Sequence, residues 1–220
     1  MRKTMLSWSS GKDSAWALHV LRQNPDIRIE GLFSTINEAF DRVAMHAVRV
    51  ALLQMQADSI GLPIHLIPIP YPCSNADYAE IMDEFVGREK ERGVECFAFG
   101  DLFLDDIREY REISLSGTGI EPIFPIWGMD THALSTNMIE SGLRAQITCV
   151  DPRQLAPEFS GREYDKRFLT EIPPGVDPCG ENGEFHSFAF DGPMFSHRIN
   201  IKVGETTSRD NFIFTDLLPA

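Results

Sequence analysis

A short segment near the N-terminus has the residue types of a phosphate-binding loop. The run Leu6–Trp8 leads into the sequence SSGKDS at Ser9–Ser14, after which apolar residues recur at helical spacing. The free N–H groups of a helix N-terminus, the helix dipole, the lysine charge and the serine hydroxyls favour an anion there. Gly11 allows a phosphate to approach the backbone. The segment therefore predicts a phosphate site, with an N-cap serine opening an ordinary core helix as the alternative.

A second group of reactive side chains lies near the other end of the chain, in the sequence GENGEFHS at Gly180–Ser187. If the segment is extended, alternation places Glu184 and His186 on the same face. A carboxylate beside an imidazole can bind a metal, orient a substrate or move a proton. An ordinary hairpin with an exposed Glu–His face is the alternative.

The elements between these two groups alternate between strand and helix patterns. Strands are predicted at 28–35, 63–69, 96–99, 122–127 and 146–150, and helices follow the first loop and these strands, for example over 105–116 and 130–141. The alternation predicts an α/β fold with a doubly wound, mostly parallel sheet over residues 1–150. Functional residues of such sheets collect at the carboxyl ends of strands, where Gly100 and Asp101 follow the fourth strand and Phe33–Thr35 end the second.

Beyond residue 150 the pattern changes to a short helical segment at 163–170, a turn-rich segment at 173–180 and strand patterns at 188–190, 197–203 and 211–214. We expect a small C-terminal α+β extension over residues 151–220 that binds substrate.

Composition argues against polyanionic partners. The 33 acidic and 20 basic residues give a formal net charge of -13, which repels nucleic acid and anionic membrane surfaces. The N-terminal residues do not resemble a signal peptide and no apolar segment approaches membrane-spanning length, so we expect a cytoplasmic protein. The four cysteines form no Cys-x-x-Cys pair, which gives no indication of a zinc or iron–sulfur site.

Both motifs resemble those of known enzymes. SSGKDS resembles the SGGKDS loop of the PP-loop ATP pyrophosphatases, with Ser10 where glycine is usual. GENGEFHS resembles the C-terminal signature of the diphthine–ammonia ligase family, a branch of the same superfamily with a HUP (Rossmann-like) fold. The resemblance covers nearly the whole chain. It implies an ATP-dependent amide ligase that adenylates a substrate carboxylate, releases pyrophosphate and transfers ammonia.

The resemblance and the motif chemistry together assign roles to individual residues. The residues expected to bind ATP are Ser9, Ser10, Gly11, Lys12, Asp13, Ser14, Phe33, Ser34, Thr35, His46, Gly100 and Asp101. The expected catalytic residues are Lys12, Asp13, Glu184 and His186. The residues expected to contact the acceptor are Arg111, Glu112, Trp127, Glu181, Asn182, Gly183, Glu184 and His186. Mg²⁺ is expected between the phosphates and Asp13 or Asp101.

Several of these residues also have an ordinary structural interpretation. His46 is then a cap or a packing residue, Arg111 and Glu112 form a solvated helix surface, and Trp127 belongs to the core.

In members that amidate diphthine, the C-terminal motif resembles EGGE(F/Y)E(T/S), and the motif of this chain departs from it. Asn182 replaces the glycine in the second position and His186 replaces the third acid. If that acid recognises the trimethylammonium group of diphthine, its loss predicts a less cationic acceptor, such as a corrinoid acid or another small carboxylic acid. Unchanged use of diphthine, a modified residue, is the alternative.

Two other functions compete with the ligase. An enzyme that modifies RNA bases by the same adenylation chemistry is disfavoured by the negative charge and the missing cysteine pairs. A non-catalytic ATP-binding regulatory protein would bind ATP without converting it to AMP. For the ligase, the absence of a glutaminase-like segment predicts free ammonium, or a partner that delivers it, as the nitrogen source. The oligomeric state is left open, with a homodimer among the alternatives.

Overall fold

The computed structural model of the protein describes residues 1–38, 42–43 and 48–220. The predicted ATP-binding residue His46 lies outside the described residues. In chain order, the elements are β1 (Arg2–Ser7), α1 (Lys12–Leu21), β2 (Ile27–Asn37), β3 (Arg42–Val43), α2 (Val50–Ile60), β4 (Ile64–Ile69), α3 (Asn75–Glu91), β5 (Cys96–Ala98), α4 (Asp105–Leu115), β6 (Glu121–Ile123), α5 (Thr131–Glu140), β7 (Arg144–Val150), a 3₁₀ turn (Pro157–Phe159), β8 (Glu163–Tyr164), α6 (Lys166–Glu171), β9 (Phe185–Asp191), β10 (Ile201–Arg209) and β11 (Phe212–Pro219).

Five parallel strands form the first sheet in the order β4-β2-β1-β5-β6, and β3 adds antiparallel to the end of β2. The chain builds outward from β1 through β2 to β4 and then returns to the other side of β1 with β5 and β6. The strand order therefore reverses between β1 and β5. Open α/β sheets bind ligands at such a switch point, outside the carboxyl ends of the strands.

Helices cover both faces of this sheet, which confirms the doubly wound α/β class. On one face α1 and α2 bury Leu18 and Leu52 in a core that also includes Phe188 of the second sheet. On the other face Phe85 of α3 and Leu115 of α4 pack in a second core. Burial of apolar side chains on both sides of the sheet is the main stabilising contribution to this arrangement.

The helix boundaries follow local sequence signals. α2 ends where Gly61 adopts the left-handed conformation, with φ 75°, as expected for a glycine after a helix. α3 begins with a capping box in which the Ser74 hydroxyl accepts a hydrogen bond from the Asp77 N–H at 3.1 Å, and the Asp77 carboxylate accepts one from the Ser74 N–H at 3.2 Å.

The second sheet is antiparallel and contains β10-β11-β7-β8 in that order, with β9 also paired to β7. The strand predicted at 146–150 forms, but its predicted place in the parallel sheet is wrong, because β7 pairs antiparallel with β9 and β11. All residues of β7 except Arg144 are buried, so both faces of the strand are covered. Strands of parallel sheets are buried in the same way. The division of the chain at residue 150 stays a prediction.

Other boundaries also shift. The strand predicted at 122–127 covers only Glu121–Ile123 and is followed by a turn, and the segment at 163–170 divides into β8 and α6. The four cysteines are free thiols. Within the described residues, no helix combines the length and apolarity needed to cross a membrane.

Candidate active site

The predicted phosphate loop joins β1 to α1, and its second serine adopts a backbone conformation that favours glycine. Ser10 has φ 70°, which costs an L-amino acid about 1–2 kcal/mol. Its carbonyl oxygen accepts hydrogen bonds from Ala189 N–H at 2.9 Å and from Gln56 Nε2 at 2.9 Å. These two bonds, from distant parts of the chain, hold the turn in its left-handed form.

The helix N-terminus lies directly against β9. The backbone N–H of Lys12 donates to the Ser187 hydroxyl at 3.2 Å, and a Cβ on Gly11 would lie 3.2 Å from the Ser187 carbonyl oxygen. Gly11 is therefore required by the close approach of β9 as well as by any phosphate. The hydroxyl of Ser14 donates to the Gly11 carbonyl at 3.0 Å and lies 3.1 Å from the Ser9 hydroxyl.

Gly100 supports the same helix start from the sheet side. A Cβ at this position would lie 3.1 Å from the backbone C and O of Asp13 and from the backbone N of Ser14. The missing side chain lets the end of β5 approach the first turn of α1. The predicted loop and the predicted residues after the fourth strand are thus in direct contact.

The Lys12 side chain is buried, with 2% of its surface exposed. Its ammonium donates to the Asp13 carboxylate at 2.8 and 3.1 Å and to the Cys179 carbonyl, and lies 5.5 and 5.2 Å from the ring centroids of Tyr164 and Phe185. Burial lowers the pKa of Lys12, but the neighbouring Asp13, Cys179 and Glu181 together outweigh it, so the pKa lies above its ordinary value. The lysine is charged and connects the loop to the C-terminal segment.

A cavity of about 240 Å³ brings the two sequence motifs together. It lies at the carboxyl ends of β1 and β5, where the strand order reverses. Its lining comprises Ser7, Ser9, Gly11, Lys12, Asp13, Ser14, Phe99, Gly100, Asp101, Arg111, Gly180, Glu181, Gly183, Phe185, His186 and Ser187. Most predicted catalytic and phosphate-binding residues therefore share one cavity, although about 170 residues separate the two motifs.

Burial shifts the pKa of the titratable groups around this cavity. The pKa of Glu181 rises to about 7, mainly through burial, although its carboxylate accepts a hydrogen bond from Leu102 N–H at 2.7 Å. Burial also raises the pKa of Asp101 and is opposed by the charge of Arg111. The pKa of His186 falls to about 4 through burial and through the charge of Lys12, so its imidazole is neutral at pH 7.

Glu184 differs from its neighbours in the motif because it does not line the cavity. Its side chain is buried, and one carboxylate oxygen accepts hydrogen bonds from Asp177 N–H at 2.9 Å and Asn182 Nδ2 at 3.1 Å. Its other oxygen has no hydrogen-bond partner among the described residues. The contacts of Glu184 hold the turn that carries Asn182, and its catalytic role stays a prediction.

Besides Glu184, three predicted acceptor contacts do not line this cavity: Asn182, Glu112 and Trp127. Glu112 pairs with Arg108 at 2.8 Å on the exposed side of α4. The Trp127 ring lies 4.9 Å from the Arg108 guanidinium, which also covers Phe124 at 4.9 Å. Of the predicted Arg111–Glu112 pair, only Arg111 reaches the cavity.

A larger cavity of about 730 Å³ adjoins the first and is lined by the predicted adenine-binding residues Phe33, Ser34 and Thr35. β1 pairs with β2 as far as Phe33, and β3 pairs with β2 from Ile36 onward. Within the described part of the chain, Ser34 and Thr35 have no strand neighbour on that side. This edge of β2 is therefore open to the cavity.

Sequence reasoning assigned no role to Ser7, Phe99 and Ser187, which line the first cavity. Ser187 lies inside the C-terminal motif, yet alternation placed it on the face opposite His186. Both residues reach the cavity because β9 begins at its edge, where the strand lies against α1. The adjacency of Ser187 to His186 in the motif was the only signal for it.

Asp13 and Asp101, the predicted Mg²⁺ ligands, both line the first cavity. Among the described residues, no group of three or more His, Cys, Asp and Glu side chains is arranged to hold a metal ion. One buried Asp101 oxygen has no hydrogen-bond partner there. Mg²⁺ is commonly held by one or two carboxylates together with substrate phosphates, and this pair of aspartates suits such a site.

Two family models match the chain. The diphthamide synthase N-terminal domain matches residues 1–116, and the diphthamide synthase C-terminal domain matches residues 130–216. Relatives named diphthine–ammonia ligase are similar over most of the sequence. The Danio rerio protein is 26% identical over 193 residues, which cover 81% of this chain and 76% of that protein. The Bos taurus protein is 27% identical over 190 residues (79% and 69%), and the Homo sapiens protein is 26% identical over 181 residues (76% and 66%).

Proposed function

The chain belongs to the diphthamide synthase family, and on that premise we propose that it adenylates a substrate carboxylate with ATP and converts it to an amide with ammonia. The observation that carries this proposal is the meeting of the SSGKDS loop and the GENGEFHS segment in one cavity beside a larger, more apolar cavity. The relatives named diphthine–ammonia ligase support the same reaction class. The larger cavity suits a nucleoside, and the smaller, more polar one suits its phosphates together with the reacting carboxylate.

In the proposed reaction, a carboxylate oxygen of the acceptor attacks the α-phosphorus of ATP and the bond to the bridging α–β oxygen breaks. Pyrophosphate leaves, carrying the negative charge of that oxygen. The nitrogen of ammonia then attacks the acyl carbon, AMP leaves with the bond electrons, and the nitrogen loses a proton. The products are an amide, AMP and pyrophosphate.

We propose that the adenosine occupies the 730 Å³ cavity and that the β- and γ-phosphates lie at the N-terminus of α1. The partial positive charge at the N-terminus of α1 and the Lys12 charge stabilise the leaving pyrophosphate. Phe33–Thr35 border the adenosine at the open edge of β2. Asp13 or Asp101 would hold Mg²⁺, which would supply positive charge to the phosphates.

The proton released by the attacking nitrogen needs an acceptor within the cavity. Glu181 lines the cavity, and its pKa of about 7 lets it exchange protons at neutral pH. One of its oxygens is held by Leu102 N–H, which fixes the side chain. We assign this general-base role to Glu181. Glu184 and His186 remain proposed participants in acceptor binding and catalysis.

The acceptor we propose is a small carboxylic acid rather than diphthine. His186 is neutral at pH 7, whereas the motif of diphthine-amidating members has an acidic residue at this position. The position therefore offers no negative charge to a trimethylammonium group. Asn182, the other departure, donates a hydrogen bond from its Nδ2 to Glu184 Oε1 at 3.1 Å. His186 lines the cavity that the acceptor must enter, whereas Asn182 lines a separate cavity.

The test supplies purified protein with ATP, Mg²⁺ and ammonium, and compares a panel of small carboxylic acids with a diphthine-bearing protein. We expect AMP, pyrophosphate and amide in equal amounts with a small acid, and no product without ammonium or acceptor. Efficient amidation of the diphthine-bearing protein, with no small acid competing, would overturn the acceptor assignment. His186→Glu is the matched variant, expected to improve the use of the cationic acceptor.

A nucleotide-binding regulatory role is the second candidate. It predicts that ATP binds but that no AMP forms with any acceptor, including RNA. A cytoplasmic location and a homodimer stay predictions, which fractionation and light scattering of the full chain will test.

A further inference from the structure

The two cavities share four lining residues, Ser7, Ser9, Phe99 and Arg111. These residues mark the junction between the space proposed for adenosine and the space proposed for the terminal phosphates. Arg111 is the one charged side chain among them. Any nucleotide that occupies both cavities must pass its α-phosphate along this junction.

Arg111 is held at the junction by the groups around it. Its guanidinium lies 4.8 Å from the Phe99 ring centroid and 5.9 Å from that of Tyr110, and its Nε lies 3.6 Å from Asp101 Oδ2. That distance allows an ion pair but is too long for a hydrogen bond. Within the described residues, both atoms are buried without a hydrogen-bond partner.

The other cation of the cavity is already engaged. Lys12 donates to Asp13 and to the Cys179 carbonyl, at the end of the cavity where the loop meets the C-terminal segment. Arg111 retains an unsatisfied donor, and a guanidinium can donate two parallel hydrogen bonds to phosphate oxygens. The chemistry at the junction is therefore that of a phosphate-binding arginine.

We infer that Arg111 binds the α-phosphate of ATP and stabilises the charge that develops at the α-phosphorus when the carboxylate attacks. This inference rests on the proposed function and deepens it. It moves Arg111 from the acceptor, where the sequence analysis placed it, to the nucleotide. Asp101 then acts as a positioning residue that holds the guanidinium at the junction, which leaves Asp13 as the proposed Mg²⁺ ligand.

The test compares the affinities for AMP and for adenosine, because these ligands differ only in the α-phosphate. Calorimetry on the wild type and on Arg111→Met measures both. We expect Arg111→Met to weaken AMP binding by about 10- to 100-fold, the range for hydrogen bonds to charged groups, and to leave adenosine affinity within a few-fold. Arg108→Met is the matched control, because Arg108 lies three residues earlier on α4, pairs with Glu112, and lines neither cavity.

A second variant separates the loss of charge from the loss of the guanidinium geometry. Arg111→Lys keeps the charge but not the planar fork, so its preference for AMP over adenosine should fall between those of the wild type and Arg111→Met. In turnover assays, Arg111→Met should lower kcat for AMP formation without raising the KM of the acceptor.

Two outcomes would contradict the inference. An unchanged preference for AMP in both Arg111 variants would remove Arg111 from the α-phosphate, and a raised acceptor KM with normal AMP binding would return it to the acceptor. A wild type that binds neither ATP nor AMP would instead refute the proposed function itself.

Discussion

Replacing Glu181 by glutamine should make the protein more stable at alkaline pH, because the folded state holds this carboxyl in a half-buried position that disfavours its ionised form. Its pKa rises from 4.5 to about 7 on folding. The folded protein therefore binds more protons than the unfolded chain between those values, and stability falls as the pH rises through that window. At about 1.4 kcal/mol for each tenfold change in the acid constant, ionising Glu181 costs up to about 3 kcal/mol of the free energy of unfolding.

The Glu181→Gln variant removes this cost and keeps an oxygen for the Leu102 N–H. Urea unfolding should show the variant more stable than the wild type by up to about 3 kcal/mol at pH 8, with the advantage vanishing near pH 4.5. Solvent screening of the partly exposed carboxylate reduces this figure. The same substitution should lower the rate of amide formation, because a glutamine cannot accept the proton.

His186 makes the free energy of unfolding depend on pH in the opposite direction. Burial lowers its pKa from 6.5 to about 4, so the unfolded chain binds more protons in that window and stability is lost as the pH falls through it. In the wild type the two slopes largely cancel between pH 4.5 and 6.5. In Glu181→Gln, the free energy of unfolding should fall as the pH falls from 6.5 to 4, because only the His186 effect remains. In His186→Gln, it should fall as the pH rises from 4.5 to 7, because only the Glu181 effect remains.

A stability difference between Glu181→Gln and the wild type that does not change with pH would show that folding does not raise the pKa of Glu181. An independent check is the carboxyl ¹³C resonance of Glu181, which should titrate near pH 7. A midpoint near 4.5 would mean that burial does not control this group.

Three further substitutions test the site. Gly100→Ala should weaken ATP binding and lower the thermal midpoint, because its Cβ would lie 3.1 Å from the backbone of Asp13. Gly87→Ala on α3 is the matched control, because its Cβ would enter open space, and it should stabilise the protein by about 0.5–1 kcal/mol. Lys12→Met should weaken ATP binding at least about tenfold through the lost charge–phosphate interaction, and unchanged affinity by calorimetry would place the triphosphate elsewhere. Glu184→Gln retains an oxygen for its two hydrogen bonds, so we expect ATP affinity within a few-fold and loss of acceptor-dependent AMP release; full turnover would limit Glu184 to holding its turn.

The sequence by itself determined the elements and the two motifs, because both depend on short-range patterns. The strand, turn and helix around Ser9–Ser14 follow from an apolar run, small residues and helical periodicity within about 20 residues. Alternation of strands and helices over residues 1–150 predicted a parallel sheet with helices on both faces, and all of its predicted strands except 146–150 joined that sheet. The match between GENGEFHS and a family signature located the second half of the site without any structure.

The tertiary structure alone decided which sheet each strand joins and how the site residues interact. β7 alternates Ala145, Ile147 and Cys149 with Gln146 and Thr148, a pattern that predicts a strand but does not identify β9 and β11 as its partners. Lys12 finds its carbonyl partner 167 residues away, at Cys179. The pKa of Glu181 depends on how much water the folded chain removes from it. Solvation and pairing over such separations are properties of the packed chain, and no local sequence pattern encodes them.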